Sequence, residues 1–436
     1  MLLSIARLAV LGLRVLSQVS GTILQNGQVK ITNYPDTRII NASASSFTTY
    51  PANAAEVSYK GRWDSKHVSW WSAPGIKFGY TGQTVAISFG NWTSDGALVA
   101  YRIGGLDWMF TNITAGATHL LVSPDTPGSN LTGPINPWTF ELRVTNWAYG
   151  VQIDSVHVAA GERLVKLPDY GRRIEIIGDS LAQGYSTSYE GLSSWAYGLA
   201  AGLGNTEYSI TAYSGICAAD QDCWGNPRGQ VHQWFYTSDT SGRAAAMYGD
   251  DPEPWDFGRH PAADIAIINI GTNDQNPHNN VSAAAYIDAL SKIIEGVHGN
   301  WPDAQVIVMS LWLGFYQSGN TYFSDASQGF VDEIKQMVQW FNSDDYLRNP
   351  VIYDGVTKQT TRLKKCSGKP FVHLFNTTGI MQHNDINPAW HPTDVGAIKV
   401  ASHLQQYIHV KFGWELYATG PEVYHDTTYW NDQVSY

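Results

Sequence analysis

The chain has 436 residues, of which 43% are hydrophobic and 15% charged, and its formal net charge is −11. That length is too great for one ordinary core, so two domains are expected, and the composition is that of a folded globular protein. The acidic balance and the lack of any basic run exclude nucleic acid or an anionic membrane as the main partner.

The chain opens with MLLSIARLAVLGLRVLSQVSG, an apolar stretch with two arginines, no acidic residue and small residues at its end. This is the pattern of a secretory signal peptide over residues 1–21, although Arg14 interrupts its apolar region. No other segment reaches the ~18 uninterrupted apolar residues of a membrane span. A secreted, extracellular protein is therefore expected, not bound to a membrane. Sequons at Asn41, Asn91, Asn112, Asn130, Asn280 and Asn376 are the glycosylation candidates that fit this.

From 22 to 168 the chain carries short β-rich runs, TVAISFGNW, ALVAYRIGG, THLLVSP, WTFELRVTNW and VQIDSVHVAA, separated by Gly, Pro, Asn and Asp. Many short strands without a long helical period predict an all-β sandwich of jelly-roll type. From 169 to 416 apolar runs alternate with helical patterns. Strands are predicted over 174–177, 208–212, 264–270, 305–311 and 371–375, and helices over 193–203, 283–298, 328–342 and 394–410. Ser282 is a good N-cap for the second helix, and Phe330, Ile334, Val338 and Phe341 share a face of the third. Strand alternating with helix predicts a parallel sheet covered on both sides. Residues 417–436 are polar and aromatic without a period and read as a surface tail.

The chemistry centres on IEIIGDSLAQG, where an apolar strand runs into Gly178, Asp179 and Ser180. Ligands bind at the carboxyl edge of an open parallel sheet, so this turn sets Ser180 at the edge where a nucleophile is useful. A serine hydroxyl needs a base to take its proton and donors to hold the resulting oxyanion. Gly215 in YSGICA and Asn273 in INIGTNDQN follow the next two predicted strands and, with the Ser180 N–H, supply those donors. His391 in NDINPAWHPTDVGAIKV is the candidate base. Ordinary readings exist for each residue: a helix N-cap, turn formers after a strand, a surface histidine. Their occurrence after successive strands in this order favours catalysis.

Cys217 and Cys223 sit close enough for a small disulfide loop if their Cα atoms approach suitably, which leaves Cys366 unpaired. No H-E-x-x-H motif and no Cys/His cluster at zinc spacing occurs, and GDSLAQG lacks the lysine and glycine spacing of a phosphate loop. Neither metal nor cofactor is expected. Seventeen tryptophans and 24 tyrosines point mildly to carbohydrate, on whose C–H faces flat rings stack. Trp224, Trp312 and Trp390 are the substrate-binding candidates. The segment 221–259, with Trp224, Trp234 and Trp255, is either a wall of the cleft or a packed loop.

GDSL at 178–181, the glycine at 215, GTND at 271–274 and His391-Pro392 followed by Gly396 together resemble the SGNH or GDSL hydrolase family, over about residues 172–412. The resemblance implies a flavodoxin-like, three-layer α/β domain and an esterase with Ser180 and His391 catalytic and Ser180, Gly215 and Asn273 as the oxyanion hole. A jelly-roll domain placed before it is similar to carbohydrate esterase family 2, which implies removal of acetyl groups from xylan or glucomannan. The SGIC segment departs from the family in lacking a basic residue after the glycine. A second departure concerns the histidine: the aspartate usual three residues before it is Pro388 here. Some members of family 2 work with a Ser–His dyad, so the resemblance implies such a dyad, its imidazole held by a backbone carbonyl. Asp385 is the reserve third member. The expected partner is an acetylated polysaccharide or oligosaccharide, and the expected oligomeric state a monomer. The alternatives are a GDSL lipase or broad acyl esterase, and a carbohydrate-binding protein on an esterase scaffold.

Overall fold

The computed structural model describes residues 21–25, 28–32, 36–129, 138–249, 252–312, 314–324, 329–363 and 368–417. Residues 1–20 of the leader-like segment, Asn130, Cys366 and nearly all of the predicted tail lie outside the described residues.

The second half of the chain forms a five-stranded parallel sheet from β1 (Arg172–Gly178), β2 (Thr206–Ala212), β3 (Ile265–Asn269), β4 (Gln305–Met309) and β5 (Val372–Phe375), in the order β2-β1-β3-β4-β5. In β1, Ile176 lies opposite Ile210 of β2 and Ile267 of β3. A central parallel strand is buried on both faces, which is why β3 and β4 read as apolar runs and β1 as one interrupted only by the buried Glu175 after its two arginines.

Among the helices that pack on this sheet are α1 (Ser180–Gln183), α2 (Trp195–Leu203), α3 (Ala283–Asn300), α4 (Val331–Phe341) and α5 (Asp394–Phe412). Ile293, Ile294, Val297, Ile334 and Phe341 of α3 and α4 pack with Ile268, Val306 and Val308 on one face. Leu199, Leu203, Val400, Leu404 and Ile408 of α2 and α5 pack with Ile174, Ile267 and Ile307 on the other. The result is a three-layer domain.

Local signals set the helix ends. Ser194, Ser282 and Thr393 cap α2, α3 and α5 by accepting the N–H of Tyr197, Ala285 and Gly396. The reading of Phe330 as part of a helical face needs correction. Phe330 precedes the first turn of α4 in a left-handed conformation with φ of 61°, and its ring stacks on Tyr286 at 4.4 Å. In this half two described β-hairpins lie outside the elements read from the sequence, Phe315–Ser318 with Thr321–Ser324 and Val351–Asp354 with Gln359–Arg362. They are short, and the second has little apolar patterning to betray it.

The first half is an antiparallel β-sandwich. One sheet runs through Met109–Ile113, Ala97–Ile103, Trp138–Val144, Gly75–Tyr80 and Leu164–Val165, with Ser58–Lys60 paired to Gly75–Tyr80. The other runs through Arg38–Ile40, Thr118–Val122, Val85–Phe89, Val151–Ala159 and Phe47–Pro51, with Val68–Ser69 paired to Val151–Ala159. The five β-rich runs read from the sequence are all strands. Phe78, Phe140, Ile87, Phe89 and Val156 fill the space between the sheets.

The two halves are joined by buried polar groups. Arg62, 1% exposed, donates to Glu175 Oε1 of β1 at 2.7 Å, and through its other terminal nitrogen to the carbonyls of Trp234 and Tyr236. Lys60 reaches Asp169 at 2.8 Å and Glu207 at 2.6 Å. Trp71 enters the core of the α/β half and donates its indole N–H to the Thr237 carbonyl at 2.9 Å.

Candidate active site

The site begins where β1 ends. A Cβ on Gly178 would stand 2.5 Å from the Ala182 side chain and 3.0 Å from the Asn269 carbonyl, so only glycine lets α1 start directly after the strand. Asp179 is fully buried and caps α1 by accepting the Leu181 N–H at 3.0 Å. Burial pushes its carboxyl up to about 7. Ser180, the first residue of α1, is 6% exposed, and its Oγ lies 2.7 Å from His391 Nε2.

His391 precedes α5 across the sheet edge, and its Nδ1 lies 2.6 Å from the Ala389 carbonyl. A carbonyl can only accept, so Nδ1 carries the proton in the neutral ring. Nε2 is then left as the acceptor that faces the serine hydroxyl. Burial holds the imidazole below its ordinary pKa, with the Ala389 carbonyl acting the other way.

Asp385, the reserve third member, is not in contact with this ring. Its carboxylate accepts the Gln382 N–H at 2.8 Å and the Lys399 ammonium at 2.6 Å. The physical reason is the one-turn 3₁₀ segment His383–Asp385, which directs that side chain back onto its own N-terminus.

The oxyanion candidates converge from β2 and β3, the strands on either side of β1. Gly215 has a φ of 81°, and a Cβ there would press on Asn226 and Trp224. Asn273 Nδ2 donates to the Ile216 carbonyl at 2.8 Å. A carboxamide has two N–H donors, so this bond fixes the plane while the second hydrogen stays available at the cleft that Asn273 lines. Asp274 ties the two loops together, accepting the N–H groups of Ala218 at 2.8 Å and Ala219 at 3.0 Å. Its carboxyl is also raised by burial, to about 6.

Ser180, Gly215, Asn273 and His391 open into one cleft of about 950 Å³. Trp224, Trp312 and Trp390 line it, in three different ways. Trp224 is half exposed and stacks on His278 at 4.4 Å. Trp390 is exposed and lies over Gly314, where any Cβ would overlap its ring. Trp312, at 6% exposure, is a wall rather than a platform. The 221–259 segment thus does both things: Trp224 shapes the rim, whereas Trp234 and Trp255 are packed inside.

Cys217 and Cys223 form a disulfide, with Cα atoms 6.0 Å apart, and close the loop that sets Trp224 beside Gly215. Sequence reasoning missed Tyr185, whose ring packs 4.8 Å from that of His391, and also Phe330 and Gln275 in the cleft wall. No motif marks them; only the fold brings them in. Of the described sequons, Asn41, Asn91, Asn280 and Asn376 are exposed. Asn112 is the exception and a correction to the candidate set. Its amide nitrogen donates both hydrogens, to the carbonyls of Leu24 and Gly96, and a glycan would replace one of them.

A model of the GDSL-like lipase/acylhydrolase family matches residues 176–397. No curated protein matches the chain in sequence at a significant level. Several solved structures share its fold. A family two carbohydrate esterase from Clostridium thermocellum, in complex with cellohexaose, is 20% identical with a TM-score of 0.60, covering 82% of this chain and 99% of that one. A carbohydrate esterase family 2 enzyme with a carbohydrate binding domain, from Corynascus thermopiles (Myceliophthora fergusii), is 18% identical with a TM-score of 0.61, covering 82% and 100%. An acetyl xylan esterase from the rumen bacterium Butyrivibrio proteoclasticus is 16% identical with a TM-score of 0.60, covering 87% and 99%. At these identities the likeness is one of fold. It extends over both the sandwich and the α/β half.

Proposed function

Because the chain belongs to the GDSL-like lipase/acylhydrolase family, we propose that it is a secreted serine esterase that removes acetyl groups from plant cell-wall polysaccharide, acetylxylan or acetylglucomannan. The observation that carries this reading is the 2.7 Å contact of Ser180 Oγ with an imidazole whose other nitrogen is already committed to a carbonyl.

In the reaction Ser180 Oγ attacks the acetyl carbonyl as His391 Nε2 takes the hydroxyl proton. The tetrahedral oxyanion is held by the N–H groups of Ser180 and Gly215 and by the Asn273 amide. His391 then returns the proton to the departing sugar oxygen, which leaves an acetyl-serine. Water, deprotonated by the same nitrogen, releases acetate and restores the hydroxyl. The Ala389 carbonyl fixes the imidazole tautomer, although it stabilises imidazolium less than a carboxylate would.

The sugar class rests on the aromatic cleft, whose exposed Trp224 and Trp390 offer flat rings beside the serine. The fold shared with carbohydrate esterases supports it. Secretion rests on the N-terminal leader pattern and the disulfide, which persists in oxidising compartments. The test is acetate release from acetylated xylan and acetylated glucomannan. Ser180→Ala should lower kcat by on the order of 10⁴-fold with the fold intact. An active Ser180→Ala protein would end the serine-esterase reading. Equal or faster hydrolysis of an aryl laurate over an aryl acetate would move it to a broad acyl esterase.

A further inference from the structure

His391 lacks the carboxylate that usually orients a catalytic histidine, so something else must fix both the ring and the carbonyl that holds it. The backbone of 387–391 accounts for this group by group. The Asn387 N–H donates to the His391 carbonyl at 2.8 Å, and the Trp390 N–H to the Asn387 carbonyl at 2.9 Å. The N–H groups of Ala389 and His391 both point at one atom, Asn387 Oδ1, at 2.8 and 3.3 Å. Pro388 has no N–H. Every backbone donor of the turn is therefore used within it, and each of these bonds ends on Asn387 or His391. The Ala389 carbonyl is left to face the imidazole.

The turn is also held at its base, where Ile386 and Pro392 form an antiparallel bridge. Its geometry is one that Trp390 would not choose alone: φ is 64°, uncommon for a residue with a Cβ. Asn and Asp are the residues whose side-chain oxygen closes such turns by accepting the N–H two residues on. Asn387 does this with the N–H of Ala389, and adds that of His391 itself.

We propose that Asn387 is the positioning residue for His391. Its side-chain oxygen folds 387–391 so that the Ala389 carbonyl meets Nδ1 while Nε2 stays on Ser180. The inference rests on the reading of His391 as the base. Asn387 touches no reacting atom in it; it acts through the ring it aims, so its loss should appear in kcat rather than in KM.

The test is steady-state hydrolysis of 4-nitrophenyl acetate by the full chain, with Asn387→Ala, Asn387→Asp and Ser180→Ala measured side by side. Asn387→Ala should lower kcat by on the order of 10–10²-fold, the scale of a small misplacement of a catalytic group. KM should stay within about threefold. Asn387→Asp keeps an oxygen acceptor at the same place and should restore kcat to within about threefold of the parent. If the alanine chain does not fold, Asn387→Ser takes its place. Its hydroxyl closes such turns more weakly, so an intermediate kcat is expected. A kcat within twofold of the parent for the alanine or serine variant, a loss confined to KM, or a loss that aspartate does not restore would each overturn the proposal. The underlying reading fails separately, if Ser180→Ala or His391→Ala remains active.

Discussion

Replacing Arg62 by methionine should destabilise the whole chain, because this buried side chain ion-pairs the sandwich to the parallel sheet. Arg62 is 1% exposed and Glu175 only 4%, and their contact is 2.7 Å. Glu175 Oε1 also accepts the Trp234 indole N–H at 2.9 Å and the Thr211 hydroxyl at 3.1 Å. Methionine fills much of the volume but leaves an uncompensated carboxylate in the sheet and deprives the Trp234 and Tyr236 carbonyls of a donor. Breaking one side of a buried pair costs about 3–5 kcal/mol, and this desolvated geometry places Arg62→Met within that range. Adding Glu175→Gln removes the stranded charge while keeping an oxygen for Trp234 and Thr211, and should recover about half of the loss. Urea unfolding followed in parallel by tryptophan fluorescence and far-ultraviolet circular dichroism measures both values. If unfolding is irreversible, inactivation half-lives carry the same ordering. A loss below about 1 kcal/mol for Arg62→Met, or a double variant less stable than the single one, would refute the argument that a buried ion pair fastens the two halves.

Asn273→Ala should cost roughly 10²–10³-fold in kcat, about 3–4 kcal/mol, with KM moving less. A change in KM with kcat untouched would make Asn273 a binding residue. Asp385→Ala should lower kcat less than about tenfold, whereas His391→Ala abolishes turnover. Equal losses would mean that the carboxylate acts on the ring despite its pairing with Lys399. The neutral imidazole is the active form and burial lowers its pKa, so activity is kept as pH falls until that lowered value is crossed. The acidic limb of kcat/KM should therefore have its midpoint below ~6.5, the ordinary histidine value. Asp179→Asn, which removes the buried carboxyl held at about 7, should leave that limb in place, and a midpoint at or above 6.5 in both proteins would contradict the burial argument.

Much of this protein is local, and the sequence alone determined it. The isoleucines of β1, β3 and β4 are apolar enough to demand burial, and glycine, aspartate and serine after such a strand favour a sharp turn, which here leads into α1. Serine and threonine before α2, α3 and α5 mark where those helices start, because side-chain oxygens satisfy the N–H groups a helix leaves unpaired. The serine, the asparagine and the histidine were legible for the same reason: each follows a strand or opens a helix, and the order of strands brings such ends to one edge. What tertiary structure alone decided are contacts between residues far apart in the chain. Nothing near Arg62 announces Glu175, and nothing near Tyr185 announces His391; the first pair meets only when the sandwich packs on the parallel sheet, the second only when the loop after α1 and the turn before α5 reach one edge of that sheet. The support of His391 lay between these cases. Pro388 ruled out the usual aspartate from sequence. The choice between Asp385 and a backbone carbonyl then depended on which way one 3₁₀ turn directs its last side chain. That direction is fixed by Lys399, one turn into α5, and by the Gln382 N–H, a pairing that local sequence rules do not specify.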